Sequence, residues 1–313
     1  MSEGALFVGM PHGHHHHHHV SAKDGDTRVA WAVAVNVGLT VVQVVGGLLS
    51  GSLSMIADAL HNLSDAVSLL IAVWARRIAR KPADDSMTFG YGRAEIVAAL
   101  VNLTTLIVIG LYLAYEAVVR FFEPQPVAGW MVVIIAGFAL AVDLVTAALT
   151  WAMAKDSVNM RAAFLHNVAD ALGSVAVMLA GTLILIFGWT WVDPAVTLGI
   201  SGYILWMAFG EIGEVVRILM LGAPPRLPSE QVLRTAEGVA GVDNIHNAHL
   251  FQIDEHRSAL QAHVVISAGE WTRADAIKTE IKARLDAAHG LSHVTLEVEC
   301  AAHSCAHPAR IGA

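Results

Sequence analysis

Cysteine is nearly absent from this sequence: two residues among 313, Cys300 and Cys305, both within the last fourteen. They cannot cross-link a core, and in a reducing compartment they serve as thiols or metal ligands. Charge is scarce as well. Asp, Glu, Lys and Arg make up 15% of the chain, against about 25% in soluble globular domains. With 55% hydrophobic residues and a mean hydropathy of +0.56, this places the chain in a bilayer. A net charge of −8 removes the electrostatic case for nucleic acid. A secretory leader is not expected, because Leu6-Phe7-Val8 is too short for its apolar region. No H-E-x-x-H pattern is present, which argues against a zinc-dependent intramembrane hydrolase.

What is present is a set of long apolar runs. They predict six spans, near residues 29–50, 55–78, 95–119, 130–154, 162–187 and 193–219, each long enough to cross a membrane. Pro224-Pro225-Arg226-Leu227-Pro228-Ser229 ends the last one. Beyond it the pattern predicts a helix over 230–239 capped by Ser229, strands over 244–253 and 259–266, a helix over 272–288 and a strand over 294–298. Arg76, Arg77, Arg80, Lys81 and Arg93 follow span two, and Lys155 and Arg161 follow span four; the opposite loops offer Arg120. The positive-inside rule turns the basic loops, and with six spans both termini, to the cytoplasm.

Two polar patches interrupt the apolar spans: His61-Asn62-Leu63-Ser64-Asp65-Ala66 in span two and His166-Asn167-Val168-Ala169-Asp170-Ala171 in span five. A histidine and an aspartate four residues apart leave the same helix face, and ionisable residues inside a span are functional by default. Two such pairs on facing helices make a closed four-ligand cage of the kind zinc takes. The two carboxylates and two neutral imidazoles balance one divalent ion, or two protons, so the two loads compete. A single polar residue in a span is more often helix–helix glue; Gln43, Asn36 and Asn102 are read that way. Asn62 and Asn167 orient neighbours. Asp58 is either an entry group or a partner for a neighbouring helix, and Asp143 either part of a proton or metal pathway or a structural hydrogen bonder.

The six spans, the paired motifs, Phe89-Gly90-Tyr91-Gly92-Arg93-Ala94-Glu95 entering span three, and the α-β-β-α-β tail end resemble the cation diffusion facilitator family, its zinc-transporting branch above all. The resemblance implies an α-helical membrane protein with six transmembrane helices and a ferredoxin/metallochaperone-like α+β cytoplasmic domain. It divides the chain into a disordered His-rich segment (1–27), a transmembrane domain (28–222), a regulatory and dimerisation domain (223–300) and a Cys/His-containing tail (301–313). It implies a homodimer in a bacterial inner membrane that exports Zn²⁺ in exchange for protons, not an enzyme, with Zn²⁺ as substrate and possible regulatory ligand and no other cofactor. Export of Cd²⁺, Co²⁺, Ni²⁺ or Fe²⁺, and a membrane metal sensor, stay open as alternatives.

Carried over residue by residue, the transport site is His61, Asp65, His166 and Asp170. A loop site found in some members falls on Asp84, Met87 and Tyr91 and is expected to be lost, leaving Asp84 and Asp85 as solvated loop. Members with a cytoplasmic binuclear site match His246 and His263, with Glu297 and Glu299 in place of a His/Asp pair; His249 is either a further ligand or a plain strand residue. Cys300, His303 and Cys305 form a candidate tail site. His12 and His14 to His19 read as a metal-collecting tract or a purification tag.

Overall fold

The computed structural model describes residues 37–153, 158–306 and 308–312. Five of its helices are long and apolar enough to cross a membrane: α2 (Leu53–Ala79), α3 (Ala94–Phe122), α4 (Gly129–Met153), α5 (Val158–Phe187) and α6 (Val192–Leu219). A shorter apolar helix, α1 (Val37–Ser50), precedes them; the start of its expected span, and the His tract, lie outside the described residues. The helix bounds follow the apolar runs closely, because a bilayer-length hydrophobic stretch satisfies its backbone only as a helix.

The bundle is built around α2. Leu53 and Ala57 pack on Leu113 and Ala117 of α3, while Met55 packs on Val132 and Ala136 of α4 and Val177 of α5. Leu103 and Leu106 of α3 meet Ile204 and Ala208 of α6. Ala57, Ala59, Ala66 and Ala75 are all buried along α2, and small residues of this kind let helices approach in a bilayer. The outward faces carry Leu70, Trp74, Val108, Phe138, Leu149 and Trp206, whereas Asp58, His61, Asn62, Asp143, Ser174 and Asp193 are inside. Polar inside and apolar outside is the distribution a lipid solvent imposes.

One interior carboxylate has a structural task that the sequence did not announce. Asp193, in the first turn of α6, accepts hydrogen bonds from Ser52 Oγ (2.6 Å), Ser54 Oγ (2.6 Å), Leu53 N (2.8 Å) and Ser54 N (3.3 Å). It therefore caps the amino terminus of α2 from another helix, where backbone donors and the helix dipole favour negative charge. The preceding turn needs Gly51: its φ is +73 and a Cβ would meet Pro126 O at 2.6 Å. Arg120 fixes the same turn by donating to Gly51 O at 2.6 Å.

Past α6 the chain forms α7 (Ser229–Glu237), β1 (Val242–Gln252), β2 (Ser258–Ile266), a single 3₁₀ turn (Trp271–Arg273), α8 (Ala274–His289) and β3 (His293–Cys300). The order is the expected one, but Ser229 is the first helical residue rather than the cap; Pro228 takes that place and supplies no side-chain bond. β1 and β2 run antiparallel, β2 and β3 parallel, and α8 makes the crossover that a parallel pair requires. Leu233, Ile245, Leu260, Val264, Ile281 and Leu285 form the core beneath the sheet. Arg93, at the entrance to α3, donates to Ile253 O (2.8 Å) and Gln252 O (3.3 Å), and Arg257 donates to Phe89 O (3.3 Å). The Phe89–Glu95 segment thus clamps the β1–β2 turn against the bundle.

Replacing Asp193 by Ala leaves the α2 donors buried and unpaired. The expected cost is at least about 2 kcal/mol, read as a lower midpoint of thermal unfolding in detergent; Asp193→Asn should recover part of it.

Candidate functional site

The two repeated motifs meet. α2 presents His61 and Asp65 and α5 presents His166 and Asp170, one helical turn apart in each case. His61 Nε2 lies 3.8 Å from Asp65 Oδ2 and 3.6 Å from Asp170 Oδ1; His166 Nε2 lies 3.2 Å from Asp65 Oδ2 and 3.5 Å from Asp170 Oδ2. Zinc with bonds of about 2.0–2.1 Å sets its tetrahedral ligands about 3.3–3.4 Å apart. The imidazole–carboxylate spacings bracket that edge length; His61, Asp65 and Asp170 each place a ligand atom within 4.8 Å of the others, while His166 lies outside that trio and keeps its contacts to the two carboxylates. Asp65 Oδ2 and Asp170 Oδ1 are buried and receive no properly directed hydrogen bond among the described residues.

The four side chains are unequally sheltered. His61 and Asp170 are 9% and 12% exposed, Asp65 and His166 28% and 47%. The open pair lies toward the carboxy-terminal end of α2 and the amino-terminal end of α5, the ends that adjoin the basic loops. Tyr203 of α6 stands edge-on to His61 with ring centres 6.3 Å apart.

Asparagine does the orienting in both motifs. Asn62 Nδ2 reaches Gln43 Oε1 on α1 (3.5 Å), and Asn167 Nδ2 donates to Thr150 Oγ1 on α4 (3.2 Å). Each motif helix is thereby tied to its neighbour. Gln43 also donates to Asp58 Oδ2 (2.8 Å), which resolves the reading of Asp58 as a partner for a neighbouring helix. Asp143 accepts from Ser174 Oγ on α5 (2.8 Å), one turn beyond Asp170. Sequence reasoning missed Tyr203, Ser174 and Asp193; a carboxylate in the first turn of a span, facing the serine-rich Ser50–Ser54 turn, was the available signal for the last.

Asp84 and Asp85 lie on an exposed loop, as expected, and Asp84 organises its turn. It accepts from Ser86 N and Oγ, Met87 N and Tyr91 Oη at 2.7–2.9 Å. The hydrogen bonds from Ser86, then Tyr91, hold its carboxyl well below the usual carboxylate range. With these oxygens already engaged, the position serves the loop's own fold.

In the cytoplasmic domain the strand register sets His246 opposite His263, and His263 opposite Glu297. Glu299, two residues on, shares the face. The four residues gathered are His246, His263, Glu299 and Cys305, each with a ligand atom within 4.8 Å of the others. Glu297 touches His263 Nε2 at 3.3 Å from an exposed rim position and is outside that group. His249 faces away: a bulge between His246 and His249 turns it to solvent. Among the described residues the three candidate tail ligands are not gathered together. Cys300 Sγ pairs with His303 Nδ1 at 3.1 Å, while Cys305 leaves them to join the strand cluster. Desolvation pushes Glu299 upward, but the His263 and Cys305 hydrogen bonds outweigh it and hold the carboxyl below its ordinary range. Glu299 in turn pushes the Cys305 thiol up.

Comparison with known proteins covers both parts of the chain. Residues 29–220 match the cation efflux transmembrane domain, and residues 224–301 match the cytoplasmic domain of cation efflux proteins. Over 273 residues the chain is 37% identical to a "cadmium, cobalt and zinc/H(+)-K(+) antiporter" of Bacillus subtilis, covering 85% of this chain and 86% of the relative. It is 33% identical over 293 residues to the zinc transporter ZitB of Escherichia coli, 93% of each chain. The metal cation efflux system protein CzcD of Cupriavidus metallidurans is 30% identical over 289 residues, 90% of this chain and 91% of the relative.

Losing one of His61, Asp65, His166 or Asp170 should weaken Zn²⁺ binding by more than the roughly 10–100-fold typical of losing a group that only orients a ligand. Calorimetric titration of a variant lacking residues 1–27 removes the contribution of the His tract, and the His246–His263–Glu299–Cys305 cluster is a background common to all variants; Asn167→Ala should fall within the smaller range.

Proposed function

Because this chain belongs to the cation efflux family, we propose that it is a multi-pass membrane transporter that exports Zn²⁺ from the cytoplasm in exchange for protons. The observation that carries the reading is the meeting of two His/Asp pairs from α2 and α5 inside the helix bundle, each imidazole 3.2–3.8 Å from both carboxylates. The relatives' names extend the substrate range to cadmium and cobalt, and a nitrogen–oxygen ligand set biases metal choice rather than fixing it. Further elements of the proposal are six spans, both termini in the cytoplasm of a bacterial inner membrane, a ferredoxin-like cytoplasmic domain and a homodimer, the last supported by the match to the family's cytoplasmic domain.

Charge counting gives the mechanism. An unpaired aspartate at mid-membrane costs about 2.5–3.5 kcal/mol, so Asp65 and Asp170 favour a cation or protons. Zn²⁺ with two carboxylates and two neutral imidazoles is neutral; so is the metal-free set with both carboxyls protonated. Metal therefore enters as protons leave, and protons return as metal departs. If the basic loops are cytoplasmic, the half-open pair of Asp65 and His166 faces the cytoplasm, and the conformation described is the inward-open one. His61, Asp170 and Tyr203 form the outer seal that must part for release. His61 supplies nitrogen where many bacterial members of the family have Asp, which favours zinc over cadmium.

Purified protein in liposomes containing a zinc dye tests this. Zinc flux should follow an imposed pH gradient and be abolished by Asp65→Asn and by Asp170→Asn. A one-for-two exchange moves no net charge, so a membrane potential, worth about 2.3 kcal/mol per charge per 100 mV, should leave the rate unchanged. Binding without flux in the intact protein makes it a sensor instead, and flux driven by potential alone sinks the proton count.

A further inference from the structure

Where β1 meets the ends of α2 and α3 there is a cleft of about 1460 Å³, larger than the roughly 300–1,000 Å³ of ordinary small-molecule sites. Ile71 and Trp74 of α2 and Val97 and Val101 of α3 form its membrane wall. Trp74, Val97 and Val101 are exposed there, so this wall is continuous with the face that meets lipid. The wall supplied by the cytoplasmic side is apolar as well, with Leu221, Phe251 and Ile311. Ile311 reaches it because the residues after β3 return to β1. Asn247 N–H donates to Ala309 O (2.8 Å), and Ile311 pairs with Ala248 in a parallel bridge.

Two features of the cleft point to an occupant of particular chemistry. The first is apolar exposure on the cytoplasmic side. Leu221 has φ +60, a left-handed conformation that is costly for a bulky side chain, and it is 51% exposed. Ile311 is 56% exposed. A contiguous apolar surface of this kind outside the hydrocarbon marks a binding face. The second feature is charge. The lining holds no Asp, Glu or Lys, and its permanent cation is Arg93. Arg93 donates from Nε and Nη2 to the carbonyls of Ile253 and Gln252 and has no carboxylate partner among the described residues. The rest of its donor fork matches a phosphate. Lys81 Nζ stands 5.6 Å from the ring centre of Tyr91, another lining residue, which puts a second cation at the rim. Asp84, which accepts from the Tyr91 hydroxyl, is engaged in its own turn.

We propose that this cleft holds one anionic phospholipid, with its acyl chains between α2, α3 and β1 and its phosphate on Arg93. An apolar cleft with a cation and no anion in its lining is complementary to an anionic amphiphile, and the bilayer beside it supplies one. Basic pockets at the ends of membrane-spanning helices take anionic head groups by the same electrostatics, and each buried methylene of the chains adds to the hold. The site shares no residue with the membrane metal site, so the inference does not rest on the transport reading. Its consequence is mechanical. Arg93 already ties the entrance of α3 to the β1–β2 turn, and a lipid on the same guanidinium makes the joint between the cytoplasmic domain and the bundle sensitive to the anionic content of the membrane.

The test is native mass spectrometry of delipidated full-length protein in detergent, titrated with dioleoylphosphatidylglycerol or dioleoylphosphatidylcholine. The anionic lipid should bind more tightly, by roughly fivefold for each basic side chain that meets it. Arg93→Gln should cut that preference by about the same factor. Because Arg93 also holds the β1–β2 turn, Ile311→Glu is a second variant: it changes an exposed side chain, and the carboxylate it places in the cleft should weaken phosphatidylglycerol binding by roughly fivefold or more. Val97→Trp, which fills the cleft, should lower retention of both lipids. Equal affinity for the two lipids, a preference unchanged in either charge variant, or tighter binding of free oleate than of phosphatidylglycerol would each overturn the assignment. So would a Val97→Trp protein that loses its dimer and keeps its lipid, since that gives the face to a second copy of the chain. Asp65→Asn, expected to carry no zinc flux, should retain phosphatidylglycerol like the unmodified protein, so loss of transport and loss of the lipid site read out separately.

Discussion

Two carboxylates held in the interior of a membrane bundle must be neutralised by something, and most of this structure can be read from that requirement. Asp65 and Asp170 are brought together although each is unfavourable in lipid alone, because α5 carries a glycine, Gly173, where it approaches α2. At Gly173 a Cβ would stand 2.9 Å from Asp58 Oδ1, so a larger residue there would push the helices apart. The two further interior carboxylates beside the site, Asp58 and Asp143, are met by the neutral donors Gln43 and Ser174. No lysine or arginine side chain reaches Asp65 or Asp170 among the described residues. A permanent cation there would satisfy the charges and leave no place for the proposed exchange between metal and protons.

The parts legible in the sequence share a physical property: they are local or periodic. A span declares itself by the length of its apolar run, a strand by alternation, and the His61/Asp65 and His166/Asp170 pairs by a one-turn spacing that occurs twice. Even the orienting role of Asn62 and Asn167 follows from their place beside the histidines. What stayed hidden depends on contacts between distant segments. Asp193 caps a helix that begins about 140 positions earlier, and nothing near residue 193 advertises the donors it will meet. Cys305 reads as part of a Cys/His tail until the chain reverses and carries it to β1 and β2. His246 stood in the candidate ligand set and His249 was left open between ligand and plain strand residue; a bulge at Asn247, with the tail as its hydrogen-bond partner, turns the second away. The turn-forming role of Asp84 was hidden for the opposite reason, since its partners are local but an Asx turn looks like any polar loop until its geometry is seen.

The cytoplasmic domain is not a loose appendage on this account. β1 carries His246 near its middle and ends at Gln252, whose carbonyl, with that of Ile253, holds Arg93 at the entrance to α3. α3 packs directly on α2 and α6. A change in the sheet at His246 therefore has a continuous packed route to the helix that bears His61 and Asp65. Gly92 contributes to the rigidity of this joint, because Asp254 occupies the space that a side chain would need.

The same packing divides the bundle in a way that explains why protons should be exchanged rather than simply left behind. Asp193 pins the amino terminus of α2 to α6, and Arg120 pins the turn before α2 to α3. Helices α4 and α5 are joined separately, by the close approach of Gly129 to Gly181 and by Asn167 to Thr150. One group supplies His61 and Asp65, the other His166 and Asp170. Any motion that parts α2 from α5 thus splits the ligand set evenly, one carboxylate and one imidazole to each side. With the metal gone, each half would carry a negative charge into a low-dielectric crevice, and the two charges would repel as the halves reclosed. A proton on each carboxylate removes both penalties. On the proposed exchange, proton uptake is then the condition under which the emptied bundle can close again, and the even division of ligands between two pinned groups of helices is what makes it so.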